Sequence, residues 1–131
     1  TRRLPAHLGY RDIQIKPEAY RGDKVAVRDA EARSILAAIK GGDRLIALDE
    51  RGVDLTSEAF ASLIDSAAQL GTKRLVFAIG GPYGHGAAVR TEAWKTVRLS
   101  KMVLNHSMAR MLLSEQLYRA STLLWGGQYH H

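Results

Sequence analysis

The sequence predicts an α/β domain built on a parallel sheet with crossover helices, and three observations carry that expectation. Two short apolar runs, Leu45 to Leu48 and Leu75 to Ile79, contain no charge, as strands covered on both faces do. Between them the apolar residues recur at helical spacing, which is the order strand, helix, strand. The second run empties into Gly80-Gly81-Pro82-Tyr83-Gly84-His85-Gly86, a glycine-rich loop at the carboxyl end of a strand, where ligands bind in sheets of this kind.

The elements follow in order. Asp12-Ile13-Gln14-Ile15 alternates polar and apolar residues and meets Lys16-Pro17, so a short half-buried strand is expected there. Asp29 is expected to cap a helix running to about Lys40, with Ala32, Ile35, Leu36 and Ile39 on one face and Gly41-Gly42 ending it. Leu45 to Leu48 is then a buried strand, and Asp49-Glu50-Arg51-Gly52 reads as a turn directly after it. Thr56 or Ser57 caps a second helix through Phe60, Leu63, Ile64 and Ala67 to Gly71. After the strand Leu75 to Ile79, a short helix is expected over 87–96 and a third buried strand over Lys101 to Leu104. A long helix follows from about His106 to Trp125, stopped by Gly126-Gly127. Its Met108, Met111, Leu112, Leu113, Leu117 and Tyr118 point in almost every direction, and a helix apolar nearly all round is buried on more than one side. A second subunit is the most economical cover in so small a domain.

Bulk properties narrow the function. At 131 residues the chain is expected to form one domain over residues 1–131, and its uncharged stretches are too short and too polar for a membrane span. Without cysteine it has neither a disulfide nor a thiolate metal site. The charge of +6 is uneven: residues 1–40 carry nine positive and five negative groups, residues 41–75 four and six, residues 76–131 six and two. If the ends meet in the fold they form a patch suited to phosphate backbones.

The loop Gly80 to Gly86 has four glycines in seven residues, which lets a ligand approach bare backbone. It matches neither a dinucleotide fingerprint nor a P-loop, so a phosphate cradle is disfavoured, while an adenosine-type ligand held by backbone groups and a purely structural turn both remain open. The histidines His7, His85, His106, His130 and His131 lack the paired spacing of a zinc site, so no metal is expected. Glu115 and Arg119 are four apart on the long helix and read as an ion pair, on a helix otherwise too apolar to face water.

Taken together, Gly80 to Gly84, the run Leu99-Ser100-Lys101-Met102-Val103-Leu104-Asn105-His106, the run Glu115-Gln116-Leu117-Tyr118-Arg119-Ala120 and the terminal Tyr129-His130 resemble the successive signatures of the ribosomal RNA pseudouridine N3-methyltransferases of the SPOUT class. Leu45 to Gly52 is similar to their first ligand-loop segment, and the resemblance runs from about Tyr10 to the end. It implies a trefoil α/β knot, a homodimer with active sites at the interface, S-adenosyl-L-methionine as methyl donor, and large-subunit ribosomal RNA or the ribosome as partner. Carried over by position, the donor pocket uses Leu48, Gly80, Gly81 and Leu99, Ser100, Lys101, Met102, Val103 and Leu104. His130, Tyr129, Arg119, His106 and Glu115 become the candidates for the chemistry, with His130 as base or anion stabiliser at N3. The compartment implied is intracellular: cytoplasm in a bacterium, chloroplast or mitochondrion in a eukaryote.

The sequence departs from that family in three respects. The additional apolar strand and helix with which most members begin have no counterpart ahead of Thr1, Asn105 stands where many have proline, and Tyr83-Gly84-His85 is bulkier and more polar than usual, as in organellar members. A different class of function keeps the same knotted dimer as a ribosome-associated RNA-binding homologue without catalysis. A generic nucleotide-binding domain and a knotted enzyme acting on transfer RNA are further alternatives.

Overall fold

The computed structural model describes residues 22–80 and 85–126. They form α1 (Lys24–Ala37), β1 (Asp43–Asp54), α2 (Ser57–Gln69), β2 (Arg74–Ile79), α3 (Ala87–Glu92), β3 (Lys95–Arg98) and α4 (His106–Trp125). The three strands are ordered β2-β1-β3 and both pairings are parallel, so the fold class read from the sequence holds.

The period-two geometry of β1 explains its unbroken apolar run. Leu45 and Ala47 face Ala32, Ala78 and Val89 on the side of α1 and α3. Ile46 and Leu48 face Phe60, Ile64, Val97, Leu113 and Ala120 on the side of α2 and α4. Both faces are covered, so polar residues have no place in the run. Phe60 and Phe77 meet on the second side with ring centroids 5.8 Å apart. There α2 keeps its expected cap, the Thr56 hydroxyl accepting from the Ala59 N–H at 3.0 Å. At the opposite end of β1, Asp43 accepts from the Arg74 guanidinium at the start of β2, and that bond holds the Asp43 carboxyl below its ordinary range.

Five expectations about the elements are corrected. α1 begins earlier, because Asp23 rather than Asp29 caps it, accepting from the Val25 and Ala26 N–H groups at 2.9 and 3.3 Å. The helix also closes at Ala37, short of Lys40. Residues 49–52 are no turn: β1 continues to Asp54, with its register against β3 shifting between Leu48 and Val53. α3 stops at Glu92, since Ala93 is extended and the Trp94 N–H donates to Leu45 O at 2.7 Å, drawing the chain into the sheet. The third strand is therefore Lys95–Arg98, and Lys101 to Leu104 is irregular, with Met102 and Val103 77% and 86% exposed. Three apolar residues in a row do not by themselves distinguish strand from loop. The strand expected over 12–15 lies outside the described residues.

α4 spans the expected residues, His106 to Trp125. The Asn105 side chain accepts from the Met108 N–H at 2.8 Å, a good N-cap where a proline would supply none. Only Ala109, Leu113 and Ala120 of α4 are buried, while Met108, Met111, Tyr118 and Leu123 are among the exposed large side chains.

Candidate functional site

The site is built at the carboxyl edge of the sheet. Leu48 of β1 is in register with Ile79 of β2 on one side and with Val97 of β3 on the other. Gly80 follows Ile79 directly and Leu99 comes two residues after Val97, so the chain leaves β2 and β3 on either side of Leu48, where the register of β1 shifts before it runs on to Asp54. Leu48 is buried, and Gly80, Leu99 and Ser100 are half-buried. The Ser100 hydroxyl accepts from the Met102 N–H at 3.0 Å, turning the chain towards α4. Lys101, Met102 and Val103 are exposed there and Leu104 is half-buried.

A polar cluster that sequence reasoning missed stands beside this edge. The Asp49 carboxylate takes a forked pair of bonds from Arg51, Nε to Oδ1 and Nη2 to Oδ2, both 2.9 Å. It accepts the Arg51 N–H at 2.9 Å as well. Its side chain is buried while that of Arg51 is about half exposed. His85, near the far end of the glycine loop, is 2% exposed and attached to the cluster twice: its N–H donates to Asp49 Oδ2 at 3.4 Å, and its carbonyl accepts from Arg51 Nη2 at 3.3 Å. The His85 ring reaches back to Ala78 O at 2.9 Å. A carbonyl only accepts, so Nε2 carries the proton.

The bonds from Arg51 hold the Asp49 carboxyl well below the usual carboxylate range, against the cost of its burial. Burial pushes the His85 imidazole below its ordinary value. The cluster is thus a carboxylate and a guanidinium closing over a neutral histidine. Its signal was present in the sequence: Asp49 and Arg51 are two apart, which on a strand puts them on one face.

The residues expected to carry chemistry are only partly brought together. Glu115 and Arg119 pair at 2.6 Å, but both side chains are about half exposed in the single chain rather than buried. His106 is exposed in the first turn of α4. At 1.5 Å per residue it stands about 14 Å from Glu115 and about 20 Å from Arg119 along the helix axis. α4 is fixed near the sheet edge by the Ser57 hydroxyl, which donates to Gln116 Oε1 at 2.6 Å. Gly81, Tyr129 and His130 lie outside the described residues.

Two cavities bear on the choice of site. One of about 110 Å³, lined by Thr56, Phe60, Val97, Leu99, Leu112 and Gln116 among others, adjoins the carboxyl edge and has room for a few waters. A larger one of about 570 Å³ is lined by Leu36, Ile39, Asp43, Arg44, Leu45, Glu92 and Trp94 at the amino end of the sheet, and none of the expected donor residues line it. At the carboxyl edge the Gly80 backbone lies between the aliphatic Leu48 and Leu99, the combination of amide and carbonyl groups with apolar walls that an adenosine-type ligand calls for. Among the described residues no helix is long and apolar enough to cross a membrane, and no group of three or more His, Asp or Glu is placed to hold a metal ion.

Comparison with known proteins identifies the family. A ribosomal RNA large subunit methyltransferase H of Porphyromonas gingivalis is 38% identical over 99% of this chain and 84% of its own length. Proteins of the same name from a Geobacter species and from Brucella anthropi are 45% and 44% identical, over 81% and 96% of this chain and 69% and 79% of theirs. Residues 1–130 match the family model described as "Predicted SPOUT methyltransferase". The chain belongs to the SPOUT methyltransferase family.

Proposed function

We propose that this protein transfers a methyl group from S-adenosyl-L-methionine to N3 of a pseudouridine in large-subunit ribosomal RNA, working as a homodimer. The observation that carries the reading is the convergence of Leu48, Gly80 and the segment opening at Leu99 at one sheet edge, three motifs identified separately along the sequence. The names of the relatives, ribosomal RNA large subunit methyltransferases, support the substrate class.

Leu48, Gly80, Gly81 and Leu99 to Leu104 would hold the donor, which supplies an electrophilic methyl on a sulfonium sulfur. N3 of the base carries a proton that must leave, and His130 takes it or stabilises the anion. Tyr129 and Arg119 approach the base with His130, Arg119 holding a phosphate or the uracil carbonyls, while His106 and Glu115 orient the tail and the helix. The helix supports the dimer: Met108, Met111 and Leu123 are exposed on it, are costly to leave in water, and would be covered where two copies meet. The compartment follows the ribosome met, cytoplasm in a bacterium and chloroplast or mitochondrion in a eukaryote.

The test is mass spectrometry of large-subunit RNA nucleosides from cells with and without the gene. N3-methylpseudouridine is expected to disappear with the gene and return with it. An unchanged level overturns the reading.

A further inference from the structure

His85 serves neither as a metal ligand nor as a surface group, and its environment is built to hold it. Of the groups assigned to the donor, Leu48 lies on β1 and Gly80 directly beyond β2, so the spacing of these two depends on what fixes the end of β2. β2 is six residues long, and its last residue in register with β1 is Ile79, opposite Leu48. Beyond it Gly80 has no side chain with which to anchor itself. His85 supplies the anchor from the far side of the loop: its ring donates to Ala78 O, one residue before Ile79, while its N–H and carbonyl are held by Asp49 and Arg51 one and three residues beyond Leu48. One residue therefore ties the end of β2 to the continuation of β1. The Asp49 end is fixed in turn by the forked bonds from Arg51.

We propose that His85 is a positioning residue for the methyl donor: by bonding Ala78 O and the Asp49–Arg51 pair it sets the separation of Gly80 from Leu48, and with it the affinity for the donor. The proposal rests on the carboxyl edge being the donor site. The ring itself is buried and acts through Ala78 rather than on the reacting atoms, so the effect falls on donor binding and not on the methyl-transfer rate.

Calorimetry with S-adenosylmethionine on the full chain, together with donor-dependence kinetics and thermal unfolding, tests this in wild type, His85→Leu and His85→Gln. Leucine fills the space without a donor, whereas the glutamine amide keeps an N–H for Ala78 O. His85→Leu is expected to weaken donor binding about tenfold and raise the donor KM by the same factor, with kcat within about twofold; His85→Gln recovers most of the affinity. A merely structural role would lower the unfolding temperature of His85→Leu and leave the KM of the folded protein where it was. Unchanged affinity in folded His85→Leu, or an equal loss in both variants, overturns the proposal. Should His85→Leu fail to fold, Asp49→Asn decides in its place, with about fivefold weaker binding in support and unchanged binding against. A wild-type chain that does not bind the donor removes the donor-site reading itself, and the role of His85 with it.

Discussion

Gly52 of β1 lies against the backbone of Val97 with no space for a side chain: a Cβ at Gly52 would stand 2.6 Å from both the nitrogen and the carbonyl carbon of Val97. The contact falls within the register shift between Leu48 and Val53, where the bulged strand can approach β3 only through a bare α-carbon. Replacing Gly52 with alanine pushes β3 from β1 at the site's own edge and is expected to cost roughly 1–3 kcal/mol. Urea denaturation measures this, and an unchanged midpoint would contradict the close approach.

Asp49 is the buried member of its pair. Asp49→Ala removes the acceptor of Arg51 and of the His85 N–H together and is expected to cost roughly 1–3 kcal/mol. Arg51→Ala should cost more, because it leaves the Asp49 carboxylate, whose side chain is 2% exposed, without the bonds that offset its burial, whereas Asp49→Ala leaves a guanidinium that is 46% exposed and can turn to water. The two variants are compared by chemical denaturation, and the reverse order would mean that the Asp49 carboxylate reaches water once Arg51 is gone.

Stability should fall on mild acidification. The unfolded His85 takes a proton below its ordinary value of 6.5, whereas the buried ring in the folded chain resists it to lower pH. The stabilising contribution is therefore complete above about 6.5 and is lost as pH drops towards the folded value. Asp49 acts in the same sense further down, below its ordinary 3.8. The melting temperature should be lower at pH 5.5 than at pH 7.5, and the difference should shrink in His85→Gln. An equal drop in that variant would assign the effect to another group.

The legible parts of the fold were those set by local periodicity. α2 and α4 were readable because Phe60, Ile64 and Ala67 share a helical face and because Gly126, at φ 70°, stops α4 where the sequence says it should. Residues 49–54 were not, because Asp, Glu, Arg and Gly in succession carry turn chemistry, and only pairing with β3 keeps them extended. β3 was displaced for the same reason: Val97 becomes a strand residue by packing on Gly52 and Leu48, partners dozens of residues away. The segments assigned to the donor were legible as motifs, but their adjacency belongs to the sheet register. The histidine that ties two of them together was visible only as part of a polar loop.

The exposed side of α4 gives a prediction about assembly. Met111 is 67% exposed in the single chain, so Met111→Asp should leave the fold intact while placing a charge in the proposed dimer contact. Sedimentation should show dissociation to monomer at concentrations where the wild type is a dimer, with the helical circular dichroism unchanged. A dimer that persists would move the interface off this face.

His130 is the residue on which the proposed chemistry turns. A group that accepts the N3 proton acts in the transition state, so His130→Ala should lower kcat by about 10²–10⁴-fold. Donor affinity should be unchanged, because the groups assigned to the donor are Leu48, Gly80, Gly81 and the segment from Leu99. Arg119→Ala should differ: a group that positions RNA raises the KM for ribosomal substrate and loses its pairing with Glu115, which then stands unneutralised at the same surface. Turnover measured on large subunits with labelled donor separates the two patterns. An unaffected kcat in His130→Ala removes that histidine from the mechanism, and Arg119 then becomes the first group to examine as stabiliser of the N3 anion.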